Sequence, residues 1–233
     1  MIPLADHNPT HTPPVLTFLL IALCVVAFGG QTLGPNGMEW SVFTYGFIPV
    51  RLLGNPEALA LDHDYIHALE GLSSTPWQTL FTSMFLHGSL MHLGGNMLYL
   101  WVFGDNVENA LGRAKFILFY LLGGLAAAFS QAAIDPSSMI PMVGASGAIS
   151  AVLGAYMVMY PNQRITVLIP QVGVQQVPAL IVLGLWFGTQ LLTGLLSDAS
   201  QGGVAFWAHI GGFVAGVVLV KIFQKKAETI KGG

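Results

Sequence analysis

Charge is what this sequence has least of. Asp, Glu, Lys and Arg together make up 8% of its 233 residues, against about 25% in a soluble domain. With 54% hydrophobic residues, a water-soluble globule of this size would have no interior large enough to hide its apolar surface. Disorder is excluded on the same ground, because disordered chains are polar and charged. Basic patches are missing too, apart from a short C-terminal lysine cluster, and the net charge is -3; nucleic-acid binding does not follow. Cysteine occurs once, as Cys24 inside an apolar run, so neither an intramolecular disulfide nor a thiolate metal site is expected. Met1 to Pro14 carries no Lys or Arg, which does not fit the charged start of a cleaved signal peptide.

What the sequence has instead is long stretches free of charge. A helix needs about 20 apolar residues to cross the ~30 Å hydrocarbon core. Six stretches come near that length: 15–33, 80–103, 116–134, 143–160, 178–196 and 203–220. Helix is the expected form, since backbone groups in lipid must be satisfied within the segment. The alternation of a membrane barrel strand is missing. The fold class read from this pattern is an all-α membrane protein, one domain over 1–233. Six spans put both termini on one side. Seven of the eight cationic residues fall there, with only Arg51 opposite; the positive-inside rule then places the termini in the cytoplasm. The connection from Gly34 to about Thr79 is long and mixes acidic residues with Trp40, Phe43 and Phe47. Such a loop is expected to be functional or to carry short helices, and its apolar content places it in the membrane interface.

Polar groups inside a membrane are costly, so each one is a functional hypothesis. Gly144-Ala145-Ser146-Gly147 opens the fourth stretch. It reads either as a small-residue packing surface or as a serine nucleophile at a helix N-terminus, where free N–H groups favour developing negative charge. His209 opens the sixth stretch and precedes Gly212 and Gly216, a spacing that allows close helix contact. It is either a structural hydrogen-bonder or the base for Ser146, since both begin stretches entered from the same side. His87, His92 and Asn96 lie in the second stretch, and His92 and Asn96 share a helix face. Acyl transfer needs donors aimed at an oxyanion, and these two side chains can supply them; plain interhelical hydrogen bonding is the other reading. A metal site is not expected. His87 and His92 are five apart, no His-Glu-x-x-His occurs, and no carboxylate is near in sequence. No acidic residue near that depth is available to orient His209.

Three blocks carry a resemblance: WQTLFTSMFLHGSLMHLGGNMLYLWVFGDNVE over 77–108, VGASGAISAVLGA over 143–155 and FWAHIGGFVAG over 206–216. Together they resemble the rhomboid intramembrane serine proteases in the six-helix bacterial form, across nearly the whole chain. The resemblance implies a serine endopeptidase that cleaves transmembrane segments with a Ser146–His209 dyad and no metal or cofactor. Gly144, Gly147 and Gly212 would support the site. His92 and Asn96 would match the oxyanion side chains, together with the Ser146 N–H, and His87 a histidine that supports the first loop. The loop around 197–205 would cap the site, and Trp186 and Phe187 would belong to a gate near the second and fifth spans. Expected partners are the bilayer and membrane substrates with locally unstable helices; the expected location is the bacterial inner membrane, with the site open to the outer face. Two departures stand out. Trp77-Gln78 replaces the Trp-Arg of some relatives, and Ser150 stands where one branch has an aromatic residue packed on the catalytic histidine. Rival readings are a catalytically inactive relative that binds membrane clients, and a small transporter, although no inverted repeat is evident.

Overall fold

Residues 1–54, 73–197 and 204–231 are described in the structure, a computed structural model, with side chains to Gln224. The chain begins with strand β1 (Ile2–Asp6) and helix α1 (Val15–Leu33). Short helices α2 (Gly37–Tyr45), α3 (Pro49–Leu53) and α4 (Pro76–Thr82) follow. Then come α5 (Leu90–Leu111), α6 (Arg113–Ile134) and α7 (Ser146–Met159). A hairpin of β2 (Arg164–Ile169) and β3 (Gly173–Pro178) leads to α8 (Ala179–Leu196) and α9 (Phe206–Lys231). Among the described residues, α1, α6, α8 and α9 (to Gln224) are long and apolar enough to cross a membrane. The central α7 is apolar but has only 14 residues.

The architecture is helical as expected, and the helix bounds follow local chemistry. The stretch expected as one span over 80–103 is divided. Thr75 and Gln78 form a reciprocal capping box that starts α4 at Pro76. A 3-10 turn over Ser83–Phe85 then ends this segment. Ser89 Oγ accepts from the His92 N–H and starts a new helix at Leu90. Polar caps interrupt a hydropathy run without altering its mean, which is why the break escapes a search for uncharged stretches. The long first connection carries α2, α3 and the start of α4; its middle, 55–72, lies outside the described residues, as does 198–203 in the expected cap.

The small sheet was not anticipated by the all-α reading. β2 and β3 pair as a hairpin, Arg164 opposite Pro178 and Ile169 opposite Gly173. β1 adds antiparallel to β2, Ile2 opposite Leu168. The N-terminus therefore lies at the same end of the bundle as the α7–α8 connection. Asp6 ties this sheet to the helices: its carboxylate accepts from Asn106 Nδ2 at 2.7 Å and Tyr156 O–H at 2.8 Å. A second acid works nearby. Buried Glu108 accepts from the Leu16 and Thr17 N–H groups at 3.0 and 2.8 Å, satisfying otherwise free donors at the start of α1.

The core centres on α7, buried from Gly147 to Tyr156 and packed by α5, α6, α8 and α9. Small residues on α7 and α9 allow a close backbone approach. A Cβ on Gly212 would run into the Gly147 carbonyl, and one on Gly216 into the Ala151 carbonyl. α1 and α8 instead leave leucines and valines exposed along most of their length, as lipid-facing helices do.

Candidate active site

The N-terminus of α7 has no side-chain cap, so its first N–H groups are free of side-chain partners. Ser146 is the first residue of that helix. Its hydroxyl oxygen lies 2.8 Å from His209 Nε2, within hydrogen-bond distance, across the α7–α9 contact that the glycines permit. Both side chains are half-buried and line a cavity of about 980 Å³.

Gly144 has φ of 126°, a backbone conformation that L side chains rarely adopt. Its N–H donates to the Ser83 carbonyl at 2.9 Å. A side chain there would also meet α5: a Cβ would lie 2.8 Å from His92 Nε2 and 3.6 Å from Asn96 Nδ2. The loop before Ser146 is therefore pressed against the two residues expected as oxyanion donors. Both line the same cavity. Asn96 Nδ2 is buried and has no hydrogen-bond partner among the described residues, which leaves a donor unspent beside the serine. Gly147 abuts Ala127 of α6, so it packs the helix rather than shaping the pocket.

His87 is fully buried, with its ring edge-on to His92 at 5.2 Å. Gln31 of α1 clasps its main chain, accepting from the His87 N–H at 3.0 Å and donating to its carbonyl at 3.3 Å. Among the described residues its role is thus to back His92 and fix the break before α5; the middle of the first loop lies outside them.

The support for His209 comes from a helix that the sequence reading assigned to a gate. Trp186 of α8 lies against the imidazole with centroids 5.9 Å apart, tilted by 35°. Phe187 stacks on Phe213 instead, at 4.6 Å. Ser150, where an aromatic residue was the comparison, turns its hydroxyl onto the Ser146 carbonyl at 2.6 Å. Its Cβ lies 3.2 Å from where a Gly212 side chain would begin, so it faces α9 at that glycine. Gln190, one turn beyond Trp186, reaches His209 Nδ1 with its amide oxygen at 2.7 Å. The signal for it was present in the sequence: a glutamine in an uncharged stretch, four residues after a tryptophan, lies on the same helix face.

No group of three or more His, Cys, Asp or Glu able to hold a metal ion occurs among the described residues. What the arrangement offers chemically is an alcohol hydrogen-bonded to an imidazole, beside unspent N–H donors, in a cavity large enough for an extended peptide.

The chain is similar to known proteins over much of its length. A family profile described as a rhomboid domain matches residues 74–226. "Rhomboid protease GluP" of Bacillus subtilis is 29% identical over 185 residues, covering 75% of this chain and 33% of its own length. "Putative rhomboid protease YdcA" of the same organism is 28% identical over 160 residues, 68% of this chain and 73% of its own. "Presenilin-associated rhomboid-like protein A, mitochondrial" of Danio rerio is 29% identical over 173 residues, 68% and 42%. The chain thus spans about a third of the first of these relatives and less than half of the zebrafish one.

Proposed function

The chain belongs to the rhomboid family, and from that premise we propose that it is an intramembrane serine endopeptidase acting through Ser146 and His209. The observation that carries this reading is the 2.8 Å hydrogen bond between the Ser146 hydroxyl and His209 Nε2, which is within the reach a base needs to activate an alcohol. Its place in a roomy, partly polar cavity adds to the case.

The steps follow from the roles. A substrate segment binds with its scissile carbonyl over Ser146. His209 takes the hydroxyl proton as Oγ attacks the carbonyl carbon. The oxyanion accepts hydrogen bonds from His92, Asn96 and the Ser146 N–H. His209 then gives its proton to the leaving amine, and the C–N bond breaks. Water, deprotonated by the same imidazole, hydrolyses the acyl-enzyme and restores the serine.

A regular helix hides its peptide bonds behind i to i+4 hydrogen bonds. The substrates are therefore membrane proteins whose spanning segments unwind locally, through Gly, Pro or small polar residues near one end. We place the chain as a six-span domain in the cytoplasmic membrane of a bacterium, termini inside and the site open to the outer face. Clustering of cations on the terminal side supports this orientation. No cofactor enters the scheme.

The test uses Ser146→Ala in the full chain, reconstituted in liposomes with a fluorogenic transmembrane substrate. Cleavage is expected to vanish while thermal unfolding stays as in the wild type; persistent turnover would end the proposal. Reaction of the wild type with a serine-directed phosphonate separates a protease from a client-binding relative, which would stay unmodified.

A further inference from the structure

A neutral imidazole has one N–H and one lone pair. To act as base toward Ser146, His209 must present the lone pair at Nε2, so the proton must sit on Nδ1 and needs an acceptor. In the serine triad a buried carboxylate plays that part. Here, among the described residues, the groups facing the ring are Ser146 from α7, Trp186 and Gln190 from α8 and His92 from α5; no carboxylate is among these. The Gln190 amide oxygen stands 2.7 Å from Nδ1.

We propose that Gln190 is the positioning residue of the dyad: its amide oxygen accepts the Nδ1–H, fixes the tautomer that leaves Nε2 free for Ser146, and holds the imidazolium that forms during attack. The inference rests on the protease reading. Trp186 completes the holder. It lies on the same face of α8 one turn earlier and presses on the ring plane, while Gln190 fixes rotation within that plane. A neutral amide accepts one hydrogen bond without leaving a charge buried, which a carboxylate in this uncharged helix would do. It also has a second orientation. With the amide turned round, its NH₂ would donate to Nδ1, the proton would move to Nε2, and His209 would be useless as a base.

The experiment compares the wild-type chain, Gln190→Leu and Gln190→Glu, all purified full-length in detergent micelles. Gln190→Leu is expected to lower kcat by about tenfold, the worth of one buried hydrogen bond, with KM and unfolding temperature unchanged. Gln190→Glu keeps the acceptor and adds a charge. It is expected to regain turnover in alkaline buffer and to move the acid limb of the kcat/KM profile to higher pH, since a carboxylate favours the imidazolium. Wild-type kcat in Gln190→Leu, or a Gln190→Glu profile that overlays the wild type, overturns the proposal.

Nitrogen NMR of ¹⁵N-histidine protein, with His209 assigned by its loss in His209→Gln, gives a readout independent of activity. The wild-type ring is expected as the Nδ1–H tautomer, with this preference lost in Gln190→Leu. A ring protonated at Nε2, or one unaffected by the leucine, overturns the proposal. If the wild type neither cleaves nor reacts with phosphonate, the protease reading fails by itself, and the spectrum still decides what Gln190 does to His209.

Discussion

Asn96 shows how much one atom can carry. Its Nδ2 is buried and, among the described residues, gives its hydrogen bond to nothing, a cost a native core rarely bears without reason. Stabilising an oxyanion would recover that cost only in the transition state. Asn96→Ala is therefore expected to lower kcat by about 10²-fold with little change in KM, measured by steady-state cleavage; an unchanged kcat would leave the orphaned donor without a role. Asp6 makes a different residue-level case at the other end of α7. Burial pushes its carboxyl up to about 6, against an ordinary value of 3.8, while the hydrogen bond from Tyr156 opposes the rise and the neighbouring Asp105 adds to it. Between those two values the folded chain keeps a proton that the unfolded chain has released, so stability falls as pH rises from about 4 to 6 and then levels off. Unfolding temperatures taken across that window should slope downward in the wild type and less so in Asp6→Asn; equal slopes would remove Asp6 as the cause. Ser146, His209, His92 and Asn96 were legible from residue type, since each is polar where lipid is expected. Gln190 was equally polar, but it has no place in the serine, histidine and asparagine pattern that directed the reading.

At the scale of elements, the contact of α7 with α9 leaves no room for a side chain between backbones. Gly216 lies one turn past Gly212, away from the chemistry, with the Ala151 carbonyl where a side chain would begin. Gly216→Val must push the helices apart, since backbone cannot yield as a flexible side chain does. The expected outcome is a loss of about 1–3 kcal/mol, the range for overpacked cores, together with slower phosphonate reaction at Ser146. Chemical denaturation and labelling kinetics read the two effects; a stable variant that reacts at the wild-type rate would mean that the helix spacing does not govern the site. The helix bounds were readable from uncharged length for α1 and α8, where lipid-like composition runs from end to end. They were unreadable at 80–90, because the break depends on Thr75 and Ser89 side chains bonding to backbone N–H groups. The sheet was missed for a related reason. Ile165, Thr166 and Val167 carry β-forming chemistry, but β2 gains its second neighbour from residues at the far N-terminus, a pairing no local pattern contains.

For the molecule as a whole, the sheet joins the N-terminus to the connection that carries Arg164, so both lie at one end of the bundle. In the orientation proposed above from the cation distribution, that end faces the cytoplasm. Cys24 is fully buried, so single cysteines can be introduced without removing it. His11→Cys, in the segment before α1, is expected to react with a membrane-impermeant maleimide only after cells are opened; reaction in intact spheroplasts would invert the topology. The broad helical membrane class was accessible from composition because 8% charge leaves few alternatives.

The two glycine contacts between α7 and α9 have one more consequence. With main chain facing main chain, the spacing of the two helices is dictated by peptide groups, and the side chains of Ser146 and His209 close the distance that remains. The exposed leucines and valines of α1 and α8 lie outside that contact. Ser146 and His209 sit like two teeth on one casting, and a single added methyl group between the helices is expected to bring them out of mesh.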